Sequence, residues 1–200
     1  GNSISQDQII SIEDSTNPIL SLPGDITIEC DESTNPLNTG LATATDNCDN
    51  SPIVTFTDAS EVGACANEST ITRTWTATDA CGNNVSQDQI IVIVDSTNPI
   101  LSIPANITIE CNESTDPLNT GQASATDNCD SDPMITYTDA SEIGACNNAS
   151  VITRTWTATD ACGNSISQDQ SITIEDNIIP FLTLPFDISI QCEDDPNNTK

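Results

Sequence analysis

Residues 70–94 read TITRTWTATDACGNNVSQDQIIVIV, and this stretch decides the fold class. Two alternating runs, Thr70–Asp79 and Val85–Val94, flank a turn rich in Asp, Gly and Asn. A side-chain period of two is what a strand buried on one face requires. Runs of the same kind lie at Asp25–Cys30 (DITIEC), Leu41–Thr45 (LATAT) and Ile53–Asp58 (IVTFTD), separated by turn-forming clusters of Asn, Asp, Gly and Pro. No window has helical spacing. These strands, with one or two short ones expected between Ser60 and Ser69, predict an all-β unit, a small antiparallel sandwich of the immunoglobulin kind.

The pattern recurs. Gly1–Leu20 (GNSISQDQIISIEDSTNPIL) returns as Gly82–Leu101 and, more altered, as Gly163–Leu182, a period of 81 residues. The expected organisation is the last strand of a preceding repeat in residues 1–14, full repeats in 15–95 and 96–176, and the first strand of a following, divergent repeat in 177–200. Divergence shows where Asn177–Pro180 (NIIP) replaces STNP and where Gln191 stands in the place of Glu29 and Glu110. The linker Asp95–Pro99 lacks glycine and carries a proline, which restricts its neighbour and favours units arranged end to end.

Comparing copies assigns the faces. Ile90, Val92 and Val94 become Ser171, Thr173 and Glu175, whereas Val85, Ile91 and Ile93 become Ile166, Ile172 and Ile174. The second set therefore faces the core. The same parity turns Ile71, Arg73, Trp75 and Ala77 inward and Thr72, Thr74, Thr76 and Thr78 outward, so Arg73 and Arg154 are expected to pack on the indole or pair with a carboxylate.

Charge bounds the partners. Thirty-one acidic residues against Arg73, Arg154 and Lys200 give a formal charge of −28, which excludes nucleic acid. The longest apolar runs, such as Ile90–Val94, are too short for membrane insertion. With no histidine and a single lysine at the C-terminus, the usual nucleophile and base pairs are missing, and no enzyme is expected. Nine cysteines obey the period: Cys30, Cys48, Cys65 and Cys81 match Cys111, Cys129, Cys146 and Cys162, and Cys192 restarts the series. Four per repeat, with no CxxC pair, predict two disulfides in each and an oxidising, extracellular setting.

The motifs TWTATDACGN, DSTNPIL, PGDITIEC and ATDNCD together resemble the hyalin-repeat (HYR) type of immunoglobulin-like module. The resemblance is to the four-cysteine version, found in tandem in very large surface proteins of Bacteroidota that include gliding-motility adhesins. It implies a cell-surface location and a structural role as a stalk or filament segment of an adhesin. A glycan- or surface-binding module acting through repeat avidity is the alternative. Partners on this reading are neighbouring repeats, with surface glycans or identical filaments as further ones. The layout of such a sandwich puts Cys48 and Cys81 at one end and Cys30 and Cys65 at the other, so the expected pairs are Cys48–Cys81, Cys30–Cys65, Cys129–Cys162 and Cys111–Cys146, with Cys192 bonded beyond Lys200.

Carboxylates crowd the cysteine loops. Asp46 and Asp49 flank Cys48, Asp79 and Asn83 flank Cys81, and the linker residue Asp14 lies beside them on the expected layout. The second set is Asp95, Asp127, Asp130, Asp160 and Asn164, and Asp176 lies in the linker that follows. Oxygen ligands converging from two loops and a linker suit calcium. The resemblance implies O-linked acceptors after a linker aspartate, which makes Ser15 and Thr16 after Asp14 and Ser96 and Thr97 after Asp95 the candidate glycosylation sites, besides sequons at Asn67, Asn84, Asn106, Asn112, Asn148 and Asn197.

Overall fold

A computed structural model describes residues 1–144, 149–184, 186–187 and 189. Two β units follow one another. In the first, β1 (Ile19–Ser21), β2 (Ile26–Glu29), the one-turn helix α1 (Pro36–Thr39), β3 (Thr43–Thr45), β4 (Ile53–Val62), β5 (Ser69–Thr78) and β6 (Asn84–Val94) succeed one another. The second repeats the order as β7 (Ile100–Ser102), β8 (Ile107–Glu110), α2 (Pro117–Thr120), β9 (Ser124–Thr126), β10 (Met134–Ile143), β11 (Ser150–Thr159) and β12 (Ser165–Glu175).

Each unit is a four-stranded sheet faced by a two-stranded one. The sheets are ordered β2-β6-β5-β4 with β1-β3, and β8-β12-β11-β10 with β7-β9. Leu20 of β1 is buried with Trp75 and Ala77 of β5, and Ala44 of β3 closes over them, so apolar residues of both sheets meet as a sandwich requires. A second cluster, Ile28, Ile71 and Ile91, fills the other end, and Leu101, Trp156 and Ala158 repeat the first cluster in the second unit. Ile91 and Ile172 are fully buried, as their parity requires.

Two expectations are corrected. The unit is not wholly antiparallel, because β2 runs parallel to β6 with Ile26 opposite Ile91 and Ile28 opposite Ile93. The chain makes α1, β3, β4 and β5 between these two strands, and so long a connection permits a parallel pair. No extra strand lies between Ser60 and Ser69; β4 instead runs on to Val62, opposite Ser69, and the Gly63 N–H donates to the Glu68 carbonyl at 2.7 Å. Residues 1–18 form no strand, and Ile4, Ile9, Ile10 and Ile12 are exposed, although their counterparts build β6 and β12. A strand exists only by its ladder, and neither a β5-like nor a β2-like neighbour is present for this segment.

Helix α1 has a local cause. Asn35 caps it by accepting from the Leu37 N–H at 3.0 Å, Pro36 opens it, and Gly40 closes it at a φ of 101°. A Cβ on Gly40 would stand 2.4 Å from the Pro23 Cβ, so both backbone and space demand glycine.

Arg73 ties this turn to the sheet. Only 1% exposed, its guanidinium holds both oxygens of Asp58 at 2.8 Å, donates to the Thr39 hydroxyl and the Thr34 carbonyl at 2.8 Å, and lies 4.5 Å from the Phe56 ring centre. Gln89, fully buried, accepts from the Trp75 indole at 3.1 Å and donates to the Thr39 carbonyl at 2.8 Å. Arg154, Asp139, Gln170 and Trp156 repeat the arrangement. Arg73→Ala strips a bidentate partner from Asp58 and empties a filled site. It is expected to cost about 3 kcal/mol, the lower end for a broken buried pair because Asp58 keeps some water contact, measured by urea unfolding.

Candidate metal centre

The loops that follow β9 and β11 are shaped by their own aspartates. Asp127 Oδ1 accepts from the N–H groups of Cys129 and Asp130 at 2.9 Å, and Asp160 Oδ1 accepts from those of Cys162 and Asn164 at 2.9 and 2.8 Å. Asp130 accepts from the Ala161 N–H at 2.9 Å and so clamps one loop to the other. The Asn164 amide donates to the Asp160 carboxylate at 2.8 Å and to the Asp95 carbonyl at 2.9 Å, which draws in the linker.

As a result Asp95, Asp127 and Asp160 converge, with a carboxylate oxygen from each within 4.8 Å of the others. Asp95 is 5% exposed and neither of its side-chain oxygens has a hydrogen-bond partner; Asp127 Oδ2 is buried and unpaired as well. Burial pushes the Asp95 carboxyl above its ordinary range, and the neighbouring charges of Asp160 and Asp127 push it further. For Asp160, burial opposes the charge, but the Asn164 side chain and the N–H groups of Asn164 and Cys162 outweigh it and hold the carboxyl below its ordinary range. Asp14, Asp46 and Asp79 form the same trio in the first unit. There the Asp46 carboxyl is lowered by the N–H groups of Asp49 and Cys48, and the Asn83 amide donates to the Asp14 carbonyl at 3.1 Å.

These donors fit a hard cation. Unpaired buried carboxylate oxygens are what a metal would satisfy, and three converging carboxylates are oxygen donors of the kind calcium takes. Two other groupings contain cysteine, Glu29 with Asp95 and Cys129, and Glu68 with Cys65 and Cys162, but those cysteines are in disulfides and offer no thiolate.

Of the sequence candidates, Asp14, Asp46, Asp79, Asp95, Asp127 and Asp160 are brought together in two trios. Asp49, Asp130, Asn83 and Asn164 serve the loops through hydrogen bonds. Asp176 joins neither trio, and its carboxylate accepts from the Ile178 N–H at 3.3 Å. Glu29 is the residue that sequence reasoning missed. It ends β2 of the first unit, accepts from the Ser96 N–H at 3.2 Å and from the Ser96 hydroxyl, and reaches the Asp95 group. Its signal was the glutamate before cysteine in DITIEC and NITIEC. Of the candidate glycosylation sites, Ser15, Thr16 and Thr97 are exposed and free of such a bond, whereas the Ser96 hydroxyl is engaged by Glu29. Asn148 and Asn197 lie outside the described residues.

The disulfides overturn the expected pairing. Cys30 bonds Cys129 and Cys65 bonds Cys162, with Cα atoms 5.9 and 5.0 Å apart, so both bridges join the first unit to the second. Cys30–Cys65, Cys48–Cys81 and Cys129–Cys162 do not form; Cys111 has no bonded partner among the described residues, and its expected partner Cys146 lies outside them, as does Cys192. Cys30 and Cys65 do share one end of their unit, but stacking sets that end against the Cys129 and Cys162 loops, and the bonds run across the junction.

Residues 18–93 match the family described as HYR-like domain with 4 cysteines, which supports an HYR-like, immunoglobulin-like module over the first unit. No curated protein matches the chain. Among solved structures the chain is similar to human mucin-like protocadherin EC1-2, at 11% identity over 79% of this chain and 98% of that one, TM-score 0.34. It is also similar to Drosophila N-cadherin EC1-4, at 17% identity over 80% of this chain and 50% of that one, TM-score 0.31. Among the described residues, no helix is long and apolar enough to cross a membrane.

Proposed function

We propose that this chain is a segment of a rigid extracellular stalk or filament, built from tandem 81-residue repeats of a large Bacteroidota surface adhesin of the gliding-motility type. The observation that carries this reading is the pair of disulfides between units, Cys30–Cys129 and Cys65–Cys162. Such bonds persist in an oxidising compartment, and two of them across one junction turn successive modules into a single covalent body. A stalk under tension needs that continuity.

Calcium completes the junction on this reading. Asp95, Asp127 and Asp160 hold the ion with Glu29 of the first unit in reach, and Asp14, Asp46 and Asp79 hold a second. Bound calcium supplies positive charge to carboxylates that otherwise repel one another, and it fixes linker against loops. The acidic remainder, spread along the rod closer than the Debye length of about 8 Å, favours extension.

Scattering and binding together test the stalk. Strands of about ten residues rise about 3.3 Å per residue, so each unit with its short linker adds roughly 35–45 Å of length, and the oxidised chain is expected to scatter as an elongated body that stays inert on glycan and cell-surface polysaccharide arrays. A compact, side-by-side particle contradicts the rod. Glycan binding that grows with repeat number assigns affinity to the repeats themselves and contradicts a passive stalk.

A further inference from the structure

Among the described residues, Cys48, Cys81 and Cys111 are free and exposed. They are not a random remainder. Cys48 and Cys81 are the counterparts of Cys129 and Cys162, the two cysteines that receive bonds from the first unit, and Cys111 is the counterpart of Cys30, which sends one.

The loops around the free pair are already built as the bonded ones are. Cys48 N–H donates to Asp46 Oδ1 at 2.8 Å where Cys129 N–H donates to Asp127 Oδ1 at 2.9 Å. Cys81 N–H donates to Asp79 Oδ1 at 2.8 Å where Cys162 N–H donates to Asp160 Oδ1 at 2.9 Å. Asp49 clamps the Ala80 N–H at 3.0 Å as Asp130 clamps that of Ala161, and the Asn83 amide holds the Asp14 carbonyl as Asn164 holds that of Asp95. One face of the first unit therefore presents two thiols on loops whose backbones have the hydrogen bonds of the bridged state.

We propose that Cys48 and Cys81 are the receiving half of a disulfide junction, and that its occupant is the Cys30- and Cys65-bearing end of another unit of this repeat. The inference rests on the tandem-array reading for where that unit lies, namely immediately before the first one. Every junction of the array is then closed by two bonds, and no repeat carries a disulfide of its own. Each bond forms by exchange with a low-molecular-weight disulfide such as oxidised glutathione. Two thiols lose two protons and two electrons to give one S–S bond, and the glutathione disulfide is reduced to two glutathione thiols.

The test lengthens the full chain by an in-frame duplicate of residues 15–95 and oxidises it in a glutathione redox buffer. Alkylation is then counted by mass spectrometry, and bridged peptides are identified after proteolysis. The added repeat is expected to leave the number of alkylatable thiols unchanged and to yield peptides joining Cys30 to Cys48 and Cys65 to Cys81. Changing Cys48→Ala in the downstream copy is expected to expose Cys30 of the upstream copy alone, so Cys30-containing peptide appears alkylated where none did. A lengthened chain with four additional alkylatable thiols, or with Cys48 bridged to Cys81 or Cys30 to Cys65, overturns the proposal. A chain that binds glycans while showing the expected bridges overturns only the passive-stalk reading.

Discussion

Reducing the two bridges is expected to convert a stiff pair of units into a hinged one and to lower its stability, while its strands persist at room temperature. The described apolar clusters each lie within one unit, so no shared core spans the junction. What spans it is covalent and polar: Cys30–Cys129, Cys65–Cys162, and Glu29 on Ser96. Cys30–Cys129 closes a separation of 99 residues, which the chain-entropy treatment equates with about 4.7 kcal/mol, and Cys65–Cys162 adds less because its loop overlaps the first. At 2–4 °C per kcal/mol for a chain of this size, the melting temperature is expected to fall by roughly 10–20 °C. Circular dichroism at 25 °C should change little, and the scattering curve should show a bent, variable particle. The double variant Cys30→Ser, Cys65→Ser should reproduce both effects without reductant.

Calcium is expected to have the next largest effect. One site filled at a hundred times its Kd stabilises by about 2.7 kcal/mol, and chelation removes it. Asp95→Asn separates this from general charge screening, because it removes a buried carboxylate that has no hydrogen-bond partner. In chelator the variant should melt higher than the parent chain; in calcium it should gain less. The pH dependence follows from the opposed shifts. The Asp95 carboxyl is raised, so its cost to the metal-free fold is absent at low pH and grows as pH rises through its elevated pKa. Asp46 and Asp160 are lowered, so what they contribute is present above the ordinary carboxyl range and lost as pH falls through their depressed values. Calorimetry in chelator across pH 3 to 8 is expected to show stability rising first as the lowered carboxylates ionise and then eroding as Asp95 does. Equal melting of parent and Asp95→Asn under every condition contradicts the metal centre.

The strands with strong alternation were legible because burial on one face writes itself into every second residue. Ile71, Trp75, Ala77 and Ile91 could be placed on the core from parity alone. The three-residue strands β1, β3, β7 and β9 are too short to show a period, and α1 is made by Asn35, Pro36 and Gly40, a capping pattern without an apolar stripe. The acidic trios were visible because aspartate sits beside cysteine in both loops. Glu29 was not, since its place in the group depends on the next unit stacking above β2. The same geometry hid the cysteine pairing. Periodicity shows which cysteines are equivalent, yet it is silent on whether a partner comes from the same repeat or from its neighbour, and that choice depends on what the end of one sandwich faces.

The most direct test is the disulfide map of the oxidised, unmodified chain, obtained by proteolysis under acidic, thiol-blocked conditions and mass spectrometry of the bridged peptides. A covalent rod predicts Cys30 linked to Cys129 and Cys65 linked to Cys162, with Cys48 and Cys81 alkylated. Cys30 linked to Cys65, or Cys129 linked to Cys162, would contradict it, for each unit would then be stapled to itself and no covalent bond but the linker backbone would cross the junction.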